Sequence, residues 1–413
     1  MDDSHRLIGG ANAGSSRPIV NAHVHLPPNF SAFETAESAI KIAASEGVAA
    51  VGASNYYDFN VYRRFAAAAA DAGIVPLYGV EIITLVDDLP GGGMLINDPT
   101  NLNRMYLCGK ALGRFDSPGP SAASNMAAMR AASDDRIRRM TALIAALYEQ
   151  VGLDGEVTDR QIAASVSDRC GVPVEWVSLQ ERHVAQAFQE LLFRDVAVQG
   201  RATVLGRLFG APASVDVTDA VAVQEALRAG LMKAGRPAFV PEAAISFGDA
   251  YRFILELGGI PCYPILADGA SPICPFEDPP ELLAERLLSR GIHCAELIPV
   301  RNRSEVVDRY VAAIRGAGIV ITAGTEHNTR RMIPVEPMAL GGEKLSDRSR
   351  EAFWEGACVV AAHQKLAAAG RPGYIDGDGR PTAGFSDGEA RIREFGRIGA
   401  DVINARSTAR VQA

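Results

Sequence analysis

Short apolar runs rich in β-branched residues alternate with Ala-rich amphipathic stretches over the first ninety residues and again after residue 245. Runs of the first kind fit buried strands, those of the second fit helices covering a sheet, and their alternation predicts parallel βα units. Over the first stretch the pattern predicts strands at 19–25, 48–53 and 75–80, with helices at 33–45 and 57–72, the latter ended by Gly73. Over the second, helices at 247–257, 280–290 and 304–316 alternate with strands at 260–266, 294–300 and 319–323. A long helix over 347–369 and another near 387–398 close the chain.

Between these stretches the rhythm breaks. From Asp87 the chain passes through Pro90-Gly91-Gly92-Gly93, a short apolar piece at Met105–Lys110 and the breaker Ser117-Pro118-Gly119-Pro120. Helical periodicity then dominates, clearest at 137–149, 159–170, 179–196 and 221–234. This organisation predicts a first βα part over 1–86, a mostly helical insertion over 87–240, a second βα part over 241–345, and C-terminal helices and tail over 346–413. Residues 1–16 are small and polar and read as a loose arm.

Composition narrows the function classes. The chain has 413 residues, 48% hydrophobic and 22% charged, which suits one large α/β domain with an insertion. A net charge of −8 disfavours a general basic surface, so no nucleic acid is expected as a partner. The six cysteines are scattered without a Cys-x-x-Cys pair and suit reduced core positions in a cytoplasmic protein. The start Met-Asp-Asp-Ser-His-Arg lacks the features of a signal peptide, and no uncharged apolar run reaches about 18 residues, so no membrane span is expected.

Candidate chemistry gathers at the ends of predicted strands. His23-Val24-His25 closes the first, and residues two apart on a strand share a face, so both imidazoles leave one side where catalytic groups of parallel barrels sit. Glu81 follows the third strand, and Glu326-His327 the last. Nitrogen and carboxylate donors together suit zinc, manganese or iron, one or two ions, and His23, His25, Glu81, Glu326 and His327 are the candidate ligands. Arg301 and Arg303 offer forked donors for phosphate oxygens. Lys110 reads as solvated surface, and His183 as a structural residue of the insertion. Gly91-Gly92-Gly93 lacks the Lys-Ser/Thr of a P-loop, and no Gly-x-Ser-x-Gly elbow occurs.

In His23-Val24-His25, Gly47-Val48 through Val51-Gly52-Ala53-Ser54, and Gly79-Val80-Glu81-Ile82, the chain resembles the opening of the PHP (polymerase and histidinol phosphatase) family. Gly258–Pro264 is similar to that family's later strand ending in Ala-His-Pro, Ala295-Glu296-Leu297 to its Ile-Glu-Val strand, and Gly324-Thr325-Glu326-His327 to its final Gly-Ser-Asp-x-His turn. The likeness covers about 19–86 and 245–330. It implies a distorted (β/α)7 TIM-like barrel, with a metal-dependent hydrolase acting on the phosphate ester of a small phosphorylated substrate. It also implies that His23, His25 and Glu81 match ligand positions, with Glu326 in place of the usual Asp.

Departures from the family pattern reduce the ligand set. The motif usually written Thr-Asp-His-Asp reads Ser54-Asn55-Tyr56-Tyr57, Tyr263 replaces the His of Ala-His-Pro, and Asn328 aligns with the final His unless His327 serves. Tyr56 and Tyr263 therefore become candidate substrate contacts, together with Glu296, Arg301 and Arg303. Asp58, Asp268 and Glu296 are candidate replacement carboxylates. Two other readings stand beside the phosphoesterase: a PHP-like domain that has lost catalysis and binds or scaffolds, and an amidohydrolase-type barrel, which also opens with His-x-His but needs further histidines and a late Asp.

Overall fold

The computed structural model describes residues 17–89, 92–242 and 244–411; the arm read at 1–16 lies outside them. The first βα units are β1 (Ile19–Val24), α1 (Ala36–Ser45), β2 (Val48–Ala53), α2 (Tyr62–Asp71) and β3 (Val75–Tyr78). Gly79 then separates β3 from β4 (Val80–Leu85), and β5 (Arg104–Lys110) follows. Five helices come next: α3 (Pro120–Gln150), α4 (Asp159–Cys170), α5 (Glu181–Asp195), α6 (Val198–Phe209) and α7 (Ala220–Leu227). The chain returns through β6 (Ile245–Ser246), α8 (Phe247–Glu256), β7 (Ile260–Ile265), α9 (Pro280–Ser289), β8 (Cys294–Leu297), α10 (Ser304–Gly316) and β9 (Val320–Ala323). The last helices are α11 (Asp347–Ala368) and α12 (Gly388–Val411).

Two sheets form, in the orders β1-β2-β3 and β6-β4-β5-β7-β8-β9. Their edges are tied to each other on both sides. On one side Thr325 N and Glu326 N donate to His23 O, at 3.0 and 2.9 Å, and His25 N donates to Glu326 O at 2.7 Å. On the other, Glu81 N donates to Asn55 O at 3.2 Å. The strand pairs are parallel except around β5, which runs antiparallel to both β4 and β7. Within the range 87–240, read as a mostly helical insertion, β5 is an integral sheet strand. Its alternation of polar Arg104, Tyr106, Cys108 and Lys110 with apolar Met105 and Leu107 marks a two-sided strand.

Burial follows from these patterns. The apolar faces of α1 and α2 pack on β1 and β2, while α8, α9 and α10 cover the larger sheet. The helices between β5 and β6 bury a core of their own, including Ile144, Tyr148, Phe188 and Leu227. Local caps set several helix starts: Thr35 and Ser38 form a reciprocal capping box at α1, and Thr158 and Gln161 do so at α4. Among the described residues no helix is long and apolar enough to cross a membrane.

Close approach of α12 to α11 depends on a missing side chain. A Cβ built on Gly399 would stand 1.7 Å from Cys358 O, whereas one on Gly396, a turn earlier, would meet Glu355 Cγ at 3.4 Å. Gly399→Ala is therefore expected to destabilise the protein by about 1–3 kcal/mol. Gly396→Ala should be neutral or stabilising by up to about 1 kcal/mol, through helix propensity. Denaturant unfolding of the two variants, compared with wild type, checks both signs.

Candidate metal centre and cavity

Strand parity builds the site. Val24 of β1 turns outward into the apolar cluster of α1 and α2, leaving its neighbours His23 and His25 on the opposite, interior side. Glu81 of β4 is in register with Cys108 of β5, and Cys108 with Cys262 of β7, so these residues share that interior face. On β8, Glu296 faces inward with Cys294. All of these side chains are buried.

His23, His25 and Glu81 converge. His23 Nε2 lies 3.4 Å from His25 Nε2, and Glu81 Oε2 lies 3.2 Å from His25 Nε2 and 3.6 Å from His23 Nε2. Glu81 Oε2 and His25 Nδ1 are buried without a hydrogen-bond partner. Two imidazole nitrogens and a carboxylate oxygen drawn together around one point, with an oxygen left unsatisfied, form a donor set that fits a divalent cation.

Behind this cluster stands a buried ion pair. Glu296 Oε1 accepts from His23 Nδ1 at 2.9 Å, and Glu296 Oε2 lies 2.7 Å from Lys110 Nζ. Burial alone would raise the Glu296 pKa, but Lys110 and then His23 hold it well below the ordinary carboxylate range. Burial likewise works against the Lys110 ammonium, and Glu296 more than offsets it. An ionised Glu296 only accepts, so His23 carries its proton on Nδ1 and presents the Nε2 lone pair to the cluster. A carboxylate on the second nitrogen is the usual support of a metal-binding imidazole. Lys110, read from sequence as surface, is 2% exposed. The alternation within β5 was the signal that it belongs to the interior.

The cluster opens into a cavity of about 420 Å³ between the strand ends and the helices that follow β5. Tyr56, Glu81, Arg301, Glu326 and Asn328 line its strand side. Tyr56 stacks on His25 with ring centres 5.3 Å apart, and burial, then Glu81, raises its pKa, so the phenol stays a donor. Arg301 Nη2 donates to Glu326 Oε2 at 2.8 Å, and Asn328 donates to the same oxygen. Glu326 stays ionised because Arg301 overcomes the effect of burial. Glu326 and His327 both have left-handed backbone, with φ of 60° and 52°, a costly conformation for non-glycine residues that turns the chain sharply here. Arg136, Glu181, Arg182, Arg228 and Lys233 form the opposite wall, which sequence reading did not find.

Several sequence-based candidates sit elsewhere. His327 is directed away from the cluster: Nδ1 meets Thr325 Oγ1 at 2.7 Å, Nε2 meets Ile333 O at 3.0 Å, and the ring stacks on Phe33. The left-handed turn leaves Asn328, not His327, facing the cavity. Tyr263 neighbours the inward-facing Pro264, so parity sends it outward into the core, where its hydroxyl donates to Glu277 Oε1 at 2.9 Å. Arg303 is 61% exposed and pairs with Asp268 at 2.8 Å outside the cavity. Glu296 supports His23 from behind and does not line the cavity as a substrate contact. Asp58 accepts from Asn29 and Asn60 N, and burial pushes it up to about 7. His183 is buried against Phe30, in keeping with a packing role.

No protein-family model and no curated protein matches this chain. Solved structures do resemble it. An amidohydrolase from Chromobacterium violaceum, solved with bound sulfate and no metal, aligns with TM-score 0.50 and 17% identity, over 81% of this chain and 96% of its own. A protein from Bifidobacterium adolescentis described, by inference, as a metal-dependent phosphoesterase aligns with TM-score 0.53 and 16% identity, over 81% of this chain and 95% of its own. The likeness is one of fold, a mixed α/β architecture also found in metal-dependent hydrolases.

The Tyr263–Glu277 contact generates a pH prediction. Glu277 accepts from Leu266 N, Ala267 N and Tyr263, yet burial outweighs these bonds and pushes it up to about 7. In the unfolded chain it ionises near its ordinary value of about 4.3. Between those values the folded state holds more protons, so this group's contribution to stability falls as pH rises through the window and levels off above it. Wild type should therefore lose stability relative to Glu277→Gln from about pH 4.5 to about pH 7, read by denaturant unfolding across that range.

Proposed function

We infer that this protein is a metal-dependent phosphoesterase of the PHP type, built on a distorted (β/α)7 barrel and acting on a small phosphorylated substrate. The observation that carries the reading is the convergence of His23 Nε2, His25 Nε2 and Glu81 Oε2 beside a polar cavity, with Glu81 Oε2 unsatisfied. These three side chains would hold a zinc, manganese or iron ion. When bound, such an ion supplies Lewis acidity and a water of lowered pKa. Glu296 and Lys110 fix the His23 tautomer and orientation. Arg301 offers its guanidinium to phosphoryl oxygens, Glu326 holds Arg301 in place, and Tyr56 presents a hydroxyl donor beside Glu81. All six cysteines are buried and free, which suits a reducing cytoplasmic setting.

A second reading, a binding protein that has lost catalysis, draws on Tyr56 and Asn328, which face the cavity where the resemblance would place histidines. An amidohydrolase-type centre has less support, since among the described residues no further histidine lines the cavity.

Metal analysis and turnover of a generic phosphate ester separate these readings. Purified wild type should carry a transition metal, and His25→Ala and Glu81→Ala should lose it and lower kcat/KM by about 100-fold or more. Metal binding without turnover would favour the binding protein, and a metal-free wild type that cannot be loaded would end the metal-centre reading.

Tyrosine-to-histidine exchanges test the geometry separately. Tyr56→His, beside His25 and Glu81, is expected to tighten metal binding by about tenfold or more. Tyr263→His should leave affinity unchanged, because that side chain faces Glu277. Competition with a chelator measures both.

A further inference from the structure

A second potential donor set lies directly behind the first. Cys108 Sγ, a nitrogen of His23 and a carboxylate oxygen of Glu296 lie within 4.8 Å of one another, all buried. His23 is common to the two sets. A side chain already occupies the space beside this second set. Lys110 Nζ lies 2.7 Å from Glu296 Oε2, 3.0 Å from Ala22 O, 3.3 Å from Ser54 Oγ and 3.4 Å from His23 Nδ1. A carboxylate, a carbonyl and a hydroxyl gathered around one positive charge resemble the surroundings of a bound cation. The charge is already balanced, because the single carboxylate of this set is matched by the single ammonium. A second divalent ion would meet that ammonium in a buried site, where charges are weakly screened.

We propose that the Lys110 ammonium is a built-in cation filling a second metal position, so that the protein binds one divalent ion, through His23, His25 and Glu81, and no more. The proposal rests on the metal-centre reading and adds to it a stoichiometry and the residue that sets it. It also explains a lysine that is only 2% exposed beside the cluster. Removing that side chain would open a latent site whose donors include a thiolate, whereas the first site has only nitrogen and oxygen donors.

Cobalt(II) distinguishes the two sites, because thiolate ligation gives an intense near-ultraviolet charge-transfer band that imidazole and carboxylate ligation do not. Metal-free wild type titrated with cobalt(II), with stoichiometry from equilibrium dialysis and elemental analysis, should saturate at one ion per chain without that band. Lys110→Ala should take a second ion and develop the band, and Lys110→Ala/Cys108→Ser should lose the band. Two ions in wild type would overturn the proposal while leaving the His23–His25–Glu81 reading standing. So would a folded Lys110→Ala protein that stops at one ion. A wild type that binds none would overturn both. If Lys110→Ala does not fold, the wild-type stoichiometry and spectrum decide the matter alone.

Discussion

The buried pair of Lys110 and Glu296 is the interaction on which the geometry of this site depends. Neither charge is tolerable there alone: removing one partner from such a pair typically costs about 3–5 kcal/mol, because the other is left charged and unsolvated. Together they join β5 to β8, and through Ala22 O, Ser54 and His23 they reach β1 and the end of β2. Lys110 keeps Glu296 ionised, Glu296 accepts the hydrogen bond from His23 Nδ1–H, and the Nε2 lone pair is thereby fixed toward His25 and Glu81. One electrostatic choice in the interior sets the chemistry of the surface that meets the cavity.

That choice requires strands to approach more closely than ordinary side chains permit. A Cβ on Gly52 would stand 2.3 Å from Ala22 O, and one on Gly324 would stand 2.3 Å from His23 Cβ. Both glycines flank β1, at its contacts with β2 and with the turn after β9. Their missing side chains let His23 sit between neighbours on either side. On the outer face, Gly356 of α11 does the same against Ile321 O, at 2.0 Å for a built Cβ, which brings the helix onto β9. The site is thus held by small residues from outside and by a charge pair from inside.

The opposite wall of the cavity is made by the helices that follow β5, and its charges are ordered before any ligand arrives. Glu181 receives Lys233 at 2.9 Å and Arg228 at 3.4 Å and also pairs with Arg136, and Lys233 and the two arginines hold it down to about 2 despite burial. Glu242, close by, is shifted upward by burial. The wall therefore carries more firmly held positive than negative charge, facing strand ends that carry Glu81 and Glu326. Such preorganised polarity needs no rearrangement to receive a polar substrate.

The chain by itself determined the alternating elements and much of the strand side of the site. Hydrophobic periodicity located β1, β2, β7, α9 and α10 closely, because these elements bury one face or both, and burial leaves a local imprint. Strand parity put His23 and His25 on one face, since a two-residue repeat is a property of any extended backbone. What parity alone left open was which face is the interior, and only the sheet register decided that. Tyr263 lies one residue from the inward-facing position, so it went to the core. His327 lay beyond the strand, in a left-handed turn whose φ values no periodicity encodes, and that turn exposed Asn328 instead. Lys110 looked like solvated surface because a lone lysine ending an apolar run normally seeks water. Its partner, Glu296, is distant in sequence and adjacent only after β5 and β8 take their places on either side of β7. Periodicity records what a residue does with its own strand; pairing of charges across strands is a property of the assembled sheet, and it was decided there.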